Sequence, residues 1–248
     1  MNENKYLITN YKLFETVSIK FTYYHGCSVT TLGEKIMKDG YLKPGNQNDK
    51  KGGKITPDVG RTYCTPNLKE SIIYILGANM VGYSMDVEPL LEAGEFGYLF
   101  IIDENRFTDV MPDEDYVGQF INYGTKIVKD KMNFILDNYL SNEPISYLYN
   151  NWNENKIKRF LDECKNILTP LQYKKCSDSD NYSDFADIGK KLNKYLSDYW
   201  KIEIMKCGTS ISNYGKLYFK EAYKFDKRNN PKLNPDGSNF FDYAEKIL

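Results

Sequence analysis

A chain of 248 residues with a formal net charge of −1 and a hydrophobic fraction of 41% fits one sizeable domain with a buried core. That balance excludes a chain disordered throughout and supplies no overall field toward nucleic acid or an anionic membrane. The five cysteines, Cys27, Cys64, Cys164, Cys176 and Cys207, include no C-x-x-C pair, which argues against a disulfide framework or a zinc ribbon and for reduced thiols in a cytosol.

The opening stretch, MNENKYLITNYKLF, lacks a basic start followed by an apolar core, and no later run approaches the roughly 18 apolar residues of a membrane span. A soluble, cytoplasmic protein is expected. In VSIKFTYYHG, the alternation of Ile19, Phe21 and Tyr23 predicts a strand, and His25, the only histidine, continues its inward face. Thr31 and Glu34 match a capping box opening a helix with Leu32, Ile36 and Met37 as its apolar stripe, stopped at "KDG". Residues 43–60 are rich in Gly, Pro, Asn and Lys and read as a loop.

"GRTYCT" reads as a short strand, followed by Asn67 as N-cap of a helix carrying Leu68, Ile72, Ile75 and Leu76. "GEFGYLFIID" alternates Phe96, Tyr98, Phe100 and Ile102, the clearest strand in the chain, and runs out into the acidic "MPDEDYVG". Helical periodicity then covers roughly 117–140, 154–168 and 184–199, broken at Pro144, Pro170 and "SDSDNYSD". "KIEIM" and "GKLYFKEAYKF" return to strand alternation, ahead of a polar tail and a short terminal helix. Strands at both ends with helices between predict a single α+β domain over 1–248, with 119–200 as a mainly helical insertion.

Three motifs occur in a telling order: "YYHGCS" ahead of a helix, "RTYCT" leading into a second helix, then a strand ending in "MPDED". This order resembles the ADP-ribosyltransferase superfamily, in which one strand bears His-Gly-Ser/Thr, a second bears Tyr, and a glutamate appears later. The resemblance covers roughly 17–118, with closing strands at 202–225, and implies a split antiparallel sheet as the core. It implies that His25 hydrogen-bonds a ribose hydroxyl of NAD, that the Gly26 backbone holds the nicotinamide carboxamide, and that Tyr63 lies against the nicotinamide ring. Ser28 stands beside Cys27, which fills the small-residue slot. Glu114 would grip the ribose hydroxyl next to the breaking bond, where an oxocarbenium-like cation develops.

The activity so implied is cleavage of the nicotinamide–ribose bond and transfer of ADP-ribose to a macromolecular acceptor, a protein rather than a nucleic acid, with NAD as substrate and no metal. Pro112 stands two positions before Glu114, where arginine-modifying relatives carry an acid or glutamine, so arginine is not the implied acceptor. Other readings stay open: NAD hydrolysis with water as acceptor, RNA 2′-phosphotransfer on the same fold, and a non-catalytic module that binds NAD or ADP-ribose. From the residues alone, Cys27 two positions from His25 also leaves a Cys-His nucleophile pair, and a structural histidine hydrogen-bonded to backbone is the plainest alternative.

Overall fold

A computed structural model describes residues 21–44, 60–77, 91–129, 148, 151–178 and 182–248. Ile19 and residues 45–59, parts of the expected first strand and of the loop after Lys43, lie outside the described residues. In chain order the elements are β1 (Tyr24–Cys27), α1 (Thr30–Asp39), β2 (Tyr41–Leu42), β3 (Arg61–Cys64), α2 (Leu68–Leu76), β4 (Phe96–Ile102) and β5 (Val110–Pro112). There follow α3 (Glu114–Lys129), α4 (Glu154–Ile167), α5 (Pro170–Asp178), α6 (Tyr182–Tyr195), α7 (Asp198–Met205), β6 (Ile211–Tyr214), β7 (Leu217–Asp226), α8 (Phe240–Tyr243) and β8 (Ala244–Lys246). The structure is thus mixed α+β, and the chain forms two compact units. Phe21–Pro44, Arg61–Thr108 and Asn213–Leu248 build a sheet unit; Asp109–Ser212 belong to a helical unit.

In the sheet unit, antiparallel strands run in the order β1-β4-β7-β2, with β8 also paired to β7. Strand β4 is internal, and Tyr98 to Ile102 are buried on both faces, as a strand covered by helices on either side must be. On one face Tyr98 stacks on Phe100, and Phe219 leans on Phe100 at 4.9 Å between ring centroids. Helix α1 covers this face through Gly33, where a Cβ would lie 2.0 Å from the Tyr98 ring. On the other face Leu99 and Phe225 pack against Ile72, Ile75 and Leu76 of α2 and Phe240 of α8.

Helix α1 departs from the expected start. Its N-cap is Val29, which makes no side-chain capping bond. The Thr30 hydroxyl is committed instead to the Phe96 carbonyl at 2.8 Å. Leu32 is exposed, and Gly33 and Ile36 face the core. Helix α2 begins as expected, with Asn67 Oδ1 accepting from the Glu70 amide at 3.2 Å, which satisfies one of the orphan donors of the first turn.

The helical unit is organised around an aromatic centre: Trp152 touches Phe120, Phe160 and Trp200 at 5.5–5.7 Å between centroids. Helices α3 and α6 approach closely at two glycines. A Cβ on Gly118 would lie 2.6 Å from Phe185 Cβ, and one on Gly189 would lie 1.8 Å from the Glu114 carbonyl oxygen. The segment "KIEIM" is helical within α7, not a strand as its alternation suggests. Trp200, Lys201, Ile204 and Met205 form its buried stripe at helical spacing, and Glu163 fixes its start by accepting from the Ser197 amide at 2.8 Å and Trp200 Nε1 at 2.7 Å. Pro170 opens α5 rather than only ending α4, in keeping with proline's fit to the first helical position. The short helix expected near the chain end is α8, and the chain then closes with β8 on β7.

Candidate nucleotide site on the edge of β1

Strand β1 places successive side chains on opposite faces. His25 opposes Phe100 and Gly26 opposes Leu99 across the β1–β4 pair, so His25 is on the α1 side and Gly26 on the α2 side. This explains the glycine before any ligand is considered. A Cβ at position 26 would lie 2.1 Å from the Ser71 carbonyl oxygen of α2 and 3.0 Å from Tyr74 Cβ.

The outer edge of β1 is more informative. The Tyr24 amide and carbonyl exchange hydrogen bonds with Thr65 at 2.7 and 2.9 Å. Were this pairing to continue, Gly26 and Tyr63 would exchange the next pair of bonds. It does not continue, because Tyr24–Thr65 is an isolated bridge. The Tyr63 carbonyl instead accepts from His25 Nδ1 at 2.8 Å. Tyr23 and Tyr24 fix the alternation, since the Tyr23 carbonyl accepts from the Ile102 amide on the β4 side. The Gly26 amide and carbonyl therefore turn toward the outer edge.

A carbonyl can only accept, so Nδ1 carries the proton and Nε2 of neutral His25 is an acceptor. Burial pushes the His25 pKa below its ordinary value, and the bond to Tyr63 opposes that shift without cancelling it. At neutral pH the ring is the neutral tautomer with an acceptor Nε2. The structure thus places two expected residues, His25 and Gly26, side by side on β1 and bonds His25 to the Tyr63 backbone, whereas the expectation for Tyr63 concerned its ring. The Tyr63 side chain is half-buried, as is Ser28 in the turn before α1.

Cys27, opposite Tyr98, shares the α1 face of β1 with His25, but its thiol is not activated. It is 6% exposed, its Sγ donates to the Val29 carbonyl at 3.6 Å, and burial raises its pKa, with Val29 and Lys227 opposing. A thiol held in its protonated form is a poor nucleophile, which weighs against a Cys-His enzyme.

Glu114 belongs to the helical unit. It is the first residue of α3 and 2% exposed. The acidic run "PDED" stands at the end of strand β5, as expected, and also opens helix α3. Asp113 Oδ1 accepts from the Asp115 amide at 3.2 Å, and its carbonyl accepts from the amides of Tyr116 and Val117. Acidic groups here complement the helix dipole. Burial first, then the charge of Glu114, push Asp115 up to about 7, with Lys190 opposing.

Two buried charges of the sheet unit escaped the sequence reading. Glu70 accepts from the Thr65 hydroxyl at 2.6 Å beside the β1–β3 bridge. Its spacing from Asn67 marks it as a helix-start residue but does not reveal the burial. Lys227 is wholly enclosed, its ammonium donating to the Gly94 carbonyl at 2.8 Å. It lies in a segment that reads as polar tail, and no signal marks it. Among the described residues no group of three or more His, Cys, Asp and Glu side chains is placed to hold a metal ion. Nor is any described helix long and apolar enough to cross a membrane. Compared with known proteins, the chain matches no family model, no curated protein and no solved structure.

Proposed function

We propose that the chain is an NAD-dependent mono-ADP-ribosyltransferase with an ADP-ribosyltransferase-like core, acting on a macromolecular acceptor. The observation that carries this reading is the edge of β1. There a neutral histidine is pinned through Nδ1, and the strand pairing stops at the glycine beside it. A carboxamide carries one acceptor and two donors, so it can pair with one backbone amide and one carbonyl of the same residue. Gly26 has both on that edge. His25 Nε2 then accepts from a ribose hydroxyl, and Tyr63 supplies an aromatic face to the nicotinamide.

In this account the departing nicotinamide leaves positive charge on the ribose. The resemblance assigns the stabilising carboxylate to Glu114. The chain's residues hold the substrate, align the breaking bond and stabilise charge; no metal is called for.

The burial of Glu114 at the start of α3 favours a second reading, a module that binds NAD or ADP-ribose without turnover. Adenine-labelled NAD incubated with the protein and cell lysate separates the possibilities. Label on a lysate macromolecule supports the transferase. Label only in free ADP-ribose indicates a glycohydrolase, and saturable binding with NAD left intact indicates the module.

A further inference from the structure

The sheet unit carries a second feature that NAD chemistry does not use. Strand β2 is an edge strand, and its Tyr41 pairs in register with Tyr218 of β7, the rings 5.8 Å apart. Lys216 lies over the Tyr41 ring at 3.9 Å, and the Arg106 guanidinium over the Tyr218 ring at 3.2 Å. Both cations are exposed, and among the described residues neither has a carboxylate partner. Lys43 and Lys220 beside them are paired with Asp39 and Glu104.

The turn from β6 to β7 adds an aromatic side chain in the open. Tyr214 is 59% exposed, yet the turn that presents it is held firmly. Asn213 is fully buried. Its Oδ1 accepts from the Thr108 amide at 2.9 Å, and its Nδ2 donates to the carbonyls of Tyr214 and Lys216 at 3.0 and 3.2 Å. The Thr62 hydroxyl donates to the Gly215 carbonyl at 2.7 Å, and Gly215 supplies the φ of +87° that the turn needs. An exposed aromatic on a turn fixed in advance forfeits little freedom when it is covered.

From this arrangement we infer that the face formed by Tyr41, Arg106, Tyr214, Lys216 and Tyr218 binds single-stranded nucleic acid. Rings alternating with cations that have no carboxylate partner among the described residues match the alternation of bases and phosphates along a single strand. An acidic peptide such as poly-glutamate would satisfy the cations but carries no aromatic ring to stack on Tyr214. The assignment is independent of the NAD reading, and it departs from the expectation of a protein acceptor.

The test is fluorescence anisotropy with an end-labelled 12-nucleotide single strand, its duplex and poly-glutamate, from 50 to 200 mM salt, without NAD. The single strand is expected to bind more tightly than either competitor. Arg106→Ala with Lys216→Ala should weaken binding about tenfold or more and lower the slope of log K against log salt by about 1.4, at roughly 0.7 per phosphate contact. Tyr214→Ala should cost about 5- to 100-fold, with Tyr214→Phe close to wild type, if a base stacks there. Lys224→Ala with Lys246→Ala removes two cations elsewhere on the unit and should change nothing. The inference is overturned if the wild type does not bind, if poly-glutamate binds as tightly as the single strand, or if the two double variants lose affinity equally while circular dichroism shows both folded.

Discussion

Asp115 offers a perturbation whose sign is fixed by its surroundings. Its carboxyl lies in the first turn of α3, with Glu114 as the neighbouring acid and Lys190 of α6 as the facing cation. One of its oxygens, Oδ1, is buried without a hydrogen-bond partner. The ordinary value is 3.8, and in the folded chain it rises to about 7, chiefly through burial. Below about pH 4 the group is protonated in both folded and unfolded states and costs nothing. Between about 4 and 7 the unfolded chain gives up the proton while the folded chain keeps it, so stability falls as pH rises, and above about 7 the loss is complete. A rise of about 3 pKa units at about 1.4 kcal/mol each sets a ceiling of about 4 kcal/mol. Because the residue as a whole is partly exposed to solvent, about 2 kcal/mol is the expected loss. Asp115→Asn removes the titration. Urea unfolding from pH 3 to 8.5 should show wild type and variant equally stable at the acid end and the variant about 2 kcal/mol more stable at pH 8. Parallel curves, or a wild type that gains stability relative to the variant as pH rises, would refute the reasoning.

Other consequences follow from single contacts. Gly189→Ala puts a methyl group 1.8 Å from the Glu114 carbonyl oxygen, backbone that cannot swing aside, so thermal unfolding of the variant should show a loss of at least about 2 kcal/mol. Gly26→Ala meets the Ser71 carbonyl at 2.1 Å and should both lower the melting temperature and weaken NAD binding. A variant that keeps full stability would contradict the packing of α2 on β1. Because burial lowers the His25 pKa, NAD affinity measured by calorimetry should be level from pH 8 down through the ordinary histidine range. It should fall only at lower pH, where Nε2 gains a proton and can no longer accept. His25→Ala should bind at least about tenfold more weakly at every pH in that range.

Local signals carried the sequence reading wherever local chemistry decides structure. Asn67 ahead of Leu68–Leu76 announced α2, Gly40 closed α1, and the alternation in Phe96–Ile102 gave β4. The errors arose where tertiary packing overrides the local pattern. "KIEIM" alternates like a strand, but Glu163 and Trp200, 37 residues apart, fix it as helix. Thr31 and Glu34 have capping-box spacing, yet the Phe96 carbonyl, 66 residues from Thr30, claims the neighbouring hydroxyl. His25 was legible because it is the only histidine and ends a predicted strand. The break in strand pairing that leaves Gly26 facing outward was not, since it depends on the Tyr63 carbonyl 38 residues along the chain. The acids at Asp113–Asp115 suit the first turn of a helix, but their burial was not legible, since it depends on α6 packing against Glu114 from 75 residues along at Gly189.

Nicotinamide release from NAD by wild type, His25→Ala and Glu114→Gln is the most direct test of the central claim. The account predicts turnover by wild type, a loss of about 100-fold or more in kcat for Glu114→Gln, and a loss in His25→Ala that includes a raised KM. No release by folded wild-type protein, or undiminished release by Glu114→Gln, would contradict it.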